Sequence, residues 1–184
     1  MNKKNTPPDL HWLYEASVQN VDTDLDFSER VYKKHWKRKP LSLREDFCGT
    51  AKLAAHWVQR NKKHHAWGVD FHQPTLDWGI KYNLAKLSDE QKERVHLICG
   101  DVLDSKTPQV DMALALNFSF CVFKQREQLK QYFKAVAKSL NTEGLFVMDI
   151  YGGTESVMAK NDDIREIPGF TTPDGIQISD FDYL

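Results

Sequence analysis

Short polar stretches follow four apolar, strand-like segments of this 184-residue sequence, and they contain the residue types that could do chemistry. Residues 45–51, EDFCGTA, follow the first segment, and Asp70, Asp101 and Asn117 follow the next three. In an open α/β sheet the ligand binds outside the carboxyl ends of the strands, where the strand order reverses. These residues are therefore the first candidates for a ligand site.

Asp70 closes the second segment and lies 21 residues after Gly49 of the first stretch (70 − 49 = 21). An acidic side chain at this place in a nucleotide-binding fold accepts hydrogen bonds from ribose hydroxyls. A helix N-cap or a solvent-facing carboxylate would fit the same position. Asp101, between Gly100 and Val102, repeats the arrangement after the third segment, where a carboxylate can accept from the exocyclic amine of a purine.

The elements that must position these residues alternate between strand and helix patterns. Hydrophobic periodicity predicts strands over 40–47, 66–70, 94–102, 110–120 and 145–153, and helices over 50–61, 73–87 and 124–144. This order implies a parallel sheet with helices on both faces, and right-handed crossovers make it a doubly wound Rossmann-like fold. The nearly continuous apolar run of the fourth strand is typical of a strand covered on both faces.

We expect one domain in three parts. Residues 1–39 form an N-terminal helical cover over the carboxyl edge of the sheet, with Phe27, Val31 and Tyr32 on its inner face. Residues 40–153 form the Rossmann-like core. Residues 154–184 are interrupted by prolines and glycines, which predicts an irregular substrate-side segment with a short helix and a hairpin fragment.

Composition excludes several other classes. Lys and Arg total 25 against 26 for Asp and Glu, so no global field attracts nucleic acid or an anionic membrane. The three cysteines are far apart and fit reduced thiols, and neither they nor the seven histidines have metal-ligand spacing, so no metal is expected. The sequence has no run of about 18 apolar residues and no secretory signal, which predicts a cytoplasmic protein without membrane contact.

The strand ends resemble those of class I S-adenosylmethionine-dependent methyltransferases over roughly residues 41–153. The matching stretches are REDFCGTA, GVDFHQPTLDWG, CGDV and VDMALALNFSF. Within that superfamily the sequence is most similar to a bacterial group that carries an LREDFCGT loop and an N-terminal segment like LYEASVQNVDTDLDF. The resemblance implies a five-stranded methyltransferase sheet, S-adenosylmethionine as the cofactor, and methyl transfer to a small-molecule acceptor.

The first loop departs from the family's acidic-x-Gly-x-Gly-x-Gly pattern. Glu45 takes the acidic position and Gly49 the central glycine, while Phe47 and Ala51 stand where the outer glycines would be. Adenosylmethionine has no phosphate, so one close approach of the ligand at Gly49 suffices. The absence of G-x-G-x-x-G also argues against NAD or FAD.

The resemblance implies cofactor contacts in three places. Arg44 pairs with the methionine carboxylate, or forms a surface ion pair with a neighbouring acid, while Glu45 or Asp46 accepts from the amino group. Tyr14, together with Gln19, closes on the same end of the cofactor. The remaining cofactor contacts lie at the ends of the next three strands, at Asp70, Phe71, Asp101, Val102 and Asn117.

The acceptor side is expected at the ends of the fourth and fifth strands. Asn117 and Tyr151 are the candidate catalytic residues, with Ser119 beside them. Of Phe118 and Phe120, one is expected in the core. The stretch NFSF lacks the prolines of the Asn-Pro-Pro-aromatic pattern found in methyltransferases of base or glutamine amino groups, which argues against those acceptors.

The sequence ends at Leu184, before the sixth and seventh strands that the resemblance leads one to expect. Either the chain is C-terminally truncated, or a partner chain completes the sheet, or the remaining tail covers the edge by itself. An exposed edge of the fifth strand predicts a homodimer or poor solubility. A non-catalytic module that holds adenosylmethionine or its product is the alternative function. A Rossmann oxidoreductase is a third.

Overall fold

The computed structural model describes residues 9–104, 106–154, 157 and 164–183. These residues fall into two compact units. The core unit is Val21–Ile150, and the flanking unit takes the described residues on either side of it.

The helices and strands are numbered along the chain. The helices are α1 (Leu10–Ser17), α2 (Val21–Trp36), α3 (Lys52–Arg60), α4 (Gln73–Tyr82), α5 (Asp89–Lys92) and α6 (Arg126–Ser139). The strands are β1 (Ser42–Asp46), β2 (His65–Asp70), β3 (Val95–Cys99), β4 (Val110–Ala115), β5 (Leu140–Met148), β6 (Arg165–Ile167), β7 (Phe170–Thr171), β8 (Gln177–Ile178) and β9 (Phe181–Tyr183). Short 3₁₀ turns occupy Leu84–Lys86 and Ser119–Val122.

The core unit is a five-stranded parallel sheet with the order β3-β2-β1-β4-β5. The chain winds outward from β1 to β3, then returns to place β4 on the other side of β1. The strand order therefore reverses between β1 and β4, which is where such sheets bind ligands. The predicted doubly wound fold is confirmed.

The two faces of the sheet pack against different helices because side chains alternate along each strand. On one face Leu43 of β1 packs with Leu25 of α2 and Trp57 of α3, all of them fully buried. On the other face Tyr132 and Val136 of α6 are buried against the sheet. Every residue of β4 is buried, as its continuous apolar run predicts for a strand covered on both faces.

The predicted bounds of the fourth strand were wrong at its carboxyl end. β4 ends at Ala115, five residues before the predicted end at 120 (120 − 115 = 5). Asn117 and Phe118 both adopt a positive φ, 56° and 57°, which ends the extended backbone, and a 3₁₀ turn follows. The apolar residues after Asn117 belong to that turn, so hydrophobicity alone could not separate them from the strand.

Two helices also differ from their predictions. α6 ends at Ser139 and β5 begins at Leu140, so residues 140–144 extend a strand instead of finishing a helix. On α6, Tyr132 is fully buried whereas Phe133 is 37% exposed. Phe27 of α2 is likewise 48% exposed, and Val21, Leu25, Ser28 and Tyr32 form the buried face instead.

The flanking unit carries two small antiparallel sheets. β6 pairs with β9, and β7 pairs with β8. Within this unit α1 contacts β6. The predicted irregular segment thus contains two short ladders, whereas pairing between copies along the free edge of β5 stays a prediction. None of the helices in the described parts of the chain is long and apolar enough to cross a bilayer.

Candidate functional site

The loop after β1 has three left-handed residues. Phe47, Gly49 and Ala51 have φ values of 59°, 52° and 54°. These are the three positions at which a three-glycine loop would carry glycine, so the backbone keeps a glycine-like conformation with only one glycine. For a residue with a side chain the left-handed conformation costs roughly 1–2 kcal/mol, and such strain persists only where the surroundings enforce it.

Packing enforces the two non-glycine positions. The Phe47 ring packs against Phe123 and Tyr132, with ring centroids 6.0 and 5.8 Å apart. Ala51 is fully buried and immediately precedes α3. The hydrophobic contacts of these two side chains therefore stabilise a loop shape that their backbone preference opposes.

Glycines of neighbouring elements let the chain approach this loop closely. A Cβ added to Gly68 of β2 would lie 2.8 Å from Sγ of Cys48. A Cβ added to Gly79 of α4 would overlap the carbonyl oxygen of Thr50, which also accepts a hydrogen bond from the side-chain amide of Asn83 at 3.0 Å. Gly79 therefore permits α4 to pack closely against the backbone of this loop.

Asp70 and Gly49, both predicted as site residues, are in direct contact. The Gly49 N–H donates to Oδ2 of Asp70 at 2.9 Å, and the N–H of His72 donates to Oδ1 at 2.9 Å. A carboxylate offers about four acceptor positions, so Asp70 keeps two for a ligand. The Gly49 N–H, which a phosphate-binding loop would point at its anion, already has a carboxylate partner.

Glu45 is the unsatisfied group of the site. It is 6% exposed, and no residue in the described part of the chain is a hydrogen-bond partner of its buried Oε2. Burial raises the pKa of Glu45 well above its usual range, and the carboxylates of Asp24, Asp70 and Asp46 raise it further. A buried carboxylate with acidic neighbours favours a cationic ligand, because a positive charge would offset both burial and repulsion.

Arg44 and Asp46 point to the opposite face of β1. Arg44 donates through Nε to Oδ1 of Asp46 at 2.6 Å, and its two terminal nitrogens donate to Thr107 Oγ1 at 3.2 Å and to the carbonyl of Val102 at 3.0 Å. The Tyr132 hydroxyl donates to the other oxygen of Asp46 at 3.0 Å. Every nitrogen of this guanidinium therefore has a protein acceptor, and the pair connects β1 to the loop after β3.

The loops after β2 and β3 lie side by side. The Gly100 N–H donates to the carbonyl of Asp70 at 2.9 Å. Oδ1 of Asp101 accepts from the Leu103 N–H at 2.8 Å, and the rest of its carboxylate is exposed. Val102 is buried, whereas Phe71 is 77% exposed and free to cover a ligand beside Asp70.

Asp149 organises the end of β4, and it was missed by the sequence analysis. Its two oxygens accept the backbone N–H groups of Asn117 and Phe118, each at 2.9 Å, and so hold the two left-handed residues. Phe120 is buried and Phe118 is 40% exposed, so one of the two aromatics lies in the core. The sequence did contain a signal for Asp149: it comes directly after β5, and acidic residues at the carboxyl ends of strands, such as Asp70 of β2, were already candidates.

Tyr14 and Tyr151 belong to the flanking unit. Tyr14 is 42% exposed on α1, and Tyr151 is 61% exposed. Gln19, in the same unit, has a buried Oε1 without a hydrogen-bond partner. The predicted roles of these residues toward the core unit stay predictions.

No protein-family model matches this sequence, and no curated protein sequence does, but solved structures resemble it in fold. The sugar N-methyltransferase KedS8 from Streptoalloteichus sp. ATCC 53650 aligns over 100% of this chain and 79% of its own, with a TM-score of 0.67 and 14% identity. DesVI of Streptomyces venezuelae aligns over 86% and 63%, with a TM-score of 0.68 and 14% identity. The fold is that of Rossmann-like methyltransferases.

A third structure with the methyltransferase fold was crystallised with S-adenosylhomocysteine. The plantazolicin methyltransferase BpumL, in complex with a pentazolic desmethylPZN analog and S-adenosylhomocysteine, aligns over 76% of this chain with a TM-score of 0.60 and 15% identity. The chain spans only 51% of BpumL. At this level of identity the similarity establishes the architecture, while the ligand and the reaction must be argued from the residues.

Proposed function

We propose that this chain binds S-adenosylmethionine at the end of β1 and transfers its methyl group to a small-molecule acceptor. The observation that carries the proposal is the hydrogen bond from the Gly49 N–H to Oδ2 of Asp70. It places the Asp70 carboxylate against the backbone of the loop after β1. A carboxylate there repels a phosphate and attracts a cation.

The surrounding charges support the same ligand. The charges of Asp24 and Asp70 both act on Glu45, and no described residue is a hydrogen-bond partner of its buried Oε2. Adenosylmethionine carries a sulfonium and an ammonium group and no phosphate, so its charge fits this environment. NAD, with two phosphates, would bring like charges together.

Each end of the cofactor has residues that fit it. The two unused acceptor positions of Asp70 suit ribose hydroxyls, and Phe71 is exposed beside them. Asp101, with Val102 next to it, suits the adenine amine. Glu45 suits the ammonium group. Because the guanidinium of Arg44 has three protein partners, we assign it to holding the loop after β3 instead of the methionine carboxylate.

The chain's task in such a reaction is alignment. When bound, the cofactor supplies an electrophilic methyl group, and the protein must orient the acceptor in line with it and exclude water. Asn117 lies on the bend that Asp149 holds, at the strand next to the ligand loop. We assign Asn117 to the acceptor side and Asp149 to positioning Asn117, while the acceptor role of Tyr151 stays a prediction.

The names of the similar structures support methyl transfer to a small acceptor. KedS8 is a sugar N-methyltransferase, and BpumL was crystallised with both a pentazolic desmethylPZN analog and S-adenosylhomocysteine. A module that binds adenosylmethionine without catalysis would share the loop, so binding and turnover must be measured separately.

The test is calorimetric titration of adenosylmethionine into the wild-type chain, Asp70→Ala and Asp77→Ala. Asp77 is an exposed acid on α4 that accepts a hydrogen bond from the side chain of Gln73, so it is the matched control. We expect Asp70→Ala to abolish binding and Asp77→Ala to retain it. Equal affinity of Asp70→Ala and the wild type would refute the proposed site. Methyl acceptors are then screened with the binding-competent protein.

A further inference from the structure

We infer that Asp24 of α2 and Glu45 of β1 together bind the ammonium group of the cofactor's amino acid end, so that α2 contributes a ligand-binding carboxylate. The inference rests on the proposed function and extends it to a residue to which the sequence alone assigned no role. It also gives α2 a specific role beyond covering the sheet.

Asp24 lies on the core-facing side of α2. It follows Val21 by three positions and precedes Ser28 by four, and both of those residues are buried. Residues three and four apart share a helix face, so Asp24 points the same way as they do. It is half-buried, and α2 packs against α3 and β5.

The other acids of this part of α2 have a cationic partner. Arg60 of α3 pairs with Asp22, Asp26 and Glu29 at 3.0, 2.6 and 3.1 Å. Asp24 is excluded from this network, and no described residue donates a hydrogen bond to its carboxylate. Arg60 therefore neutralises the outer acids of the helix, while Asp24 has no counter-ion among the residues that the structure describes.

The groups that act on Asp24 and Glu45 are all carboxylates. Burial is the largest cause of the raised pKa of Glu45, and the charge of Asp24 is the next largest, followed by those of Asp70 and Asp46. Asp149, at the end of β5, acts on Asp24. The pKa values of both Asp24 and Glu45 are raised, by burial first and by these charges second.

An unpartnered oxygen indicates what is absent from this cluster. Glu45 is 6% exposed, and its buried Oε2 has no hydrogen-bond partner among the residues that the structure describes. A buried acceptor without a donor is costly, and two carboxylates without a cation are more so. An ammonium group has three N–H donors and one positive charge, so it can serve both side chains at once.

The experiment compares three ligands with Asp24→Asn and a matched control. Adenosylmethionine and S-adenosylhomocysteine carry the ammonium group, whereas methylthioadenosine keeps the adenosine and the thioether and lacks the amino acid end. Asp26→Asn is the control, because Asp26 lies on the same helix, is exposed and contacts Arg60. Circular dichroism verifies that each variant is folded, and Glu45→Gln provides a second variant with the same expected pattern.

We expect Asp24→Asn to weaken both ammonium-bearing ligands about tenfold or more, while methylthioadenosine keeps the wild-type affinity. Asp26→Asn should bind all three like the wild type. Unchanged affinity of Asp24→Asn for adenosylmethionine, or an equal loss for methylthioadenosine, overturns the assignment. If the wild type itself binds none of the three ligands, the proposed function fails as well as the assignment of Asp24. That result differs from one in which only the Asp24 variant behaves unexpectedly.

Discussion

Gly79 of α4 touches the backbone of Thr50, and a Cβ at position 79 would overlap the Thr50 carbonyl oxygen. The contact fixes α4 against the ligand loop, and Asn83 of the same segment reinforces it by donating to the same carbonyl at 3.0 Å. The conformation of the loop therefore depends on a glycine about 30 residues away from it in sequence (79 − 49 = 30).

Gly79→Ala is expected to lower the free energy of unfolding by about 3 kcal/mol, because the overlap is with backbone atoms that cannot rotate away. Urea denaturation measures the loss. Gly100→Ala is the control, since its Cβ would meet Ile98 Cγ2 at an ordinary 3.8 Å. Equal stability of the two variants would show that the contact does not constrain the loop.

Gly49→Ala is expected to behave differently. Its Cβ would be 4.0 Å from the nearest atom, Cγ2 of Thr75, so the cost is only that of a left-handed alanine, roughly 1–2 kcal/mol. If the ligand lies over Gly49, the same methyl group blocks its approach and the affinity for adenosylmethionine falls far more than the stability. A variant that keeps full affinity would place the ligand elsewhere.

The sequence predicts the core of this fold because its signals are local. Alternation and helical spacing identify the five strands from β1 to β5 and the main helices between them in the correct order. The carboxyl ends of parallel strands meet at one edge of the sheet, which predicts that Asp70 and Gly49 lie close together, and the hydrogen bond between them confirms this. Alignment of EDFCGTA with the acidic-x-Gly-x-Gly-x-Gly pattern of the resembling family puts Phe47 and Ala51 where that pattern has its outer glycines, and both residues have a positive φ.

What the sequence does not predict depends on contacts between distant segments. Asp149 holds Asn117 and Phe118 from 31–32 residues away, and Gly79 fits against Thr50 across a helix and a strand. Arg44 looks like a ligand residue from its place in the loop, yet alternation along β1 turns it to the α6 side, where Asp46 accepts its hydrogen bond. Such placements follow from three-dimensional packing and not from a residue's neighbours in sequence.

The buried pair of Arg44 and Asp46 provides a stability prediction. Arg44→Met leaves the Asp46 carboxylate buried without its cation and is expected to cost about 3–5 kcal/mol. Tyr132→Phe removes one hydrogen bond to the same carboxylate and is expected to cost about 1 kcal/mol. Urea titration compares the two variants. If Arg44→Met instead loses affinity for adenosylmethionine while its stability hardly changes, Arg44 contacts the ligand.

Ligand affinity should depend on pH through Glu45. Burial, and then the charges of Asp24, Asp70 and Asp46, raise the pKa of Glu45, so the free protein holds a proton there above the usual range for a carboxyl group. A cationic ligand favours the ionised form, and binding therefore releases that proton and strengthens as pH rises toward the raised pKa. Titrations in two buffers with different heats of ionisation count the proton. Glu45→Gln should abolish its release, and an unchanged count in that variant would assign the proton to another group.

The loop after β1 is proposed to bind adenosylmethionine, a sulfonium nucleoside, and not a dinucleotide. Titration of the wild-type chain with adenosylmethionine, and separately with NAD, tests it directly. We predict saturable binding of adenosylmethionine and no measurable heat with NAD, because Asp70 accepts the hydrogen bond of the Gly49 N–H and the charges of Asp24, Asp70 and Asp46 act on the nearby Glu45. Binding of NAD in place of adenosylmethionine would contradict the account.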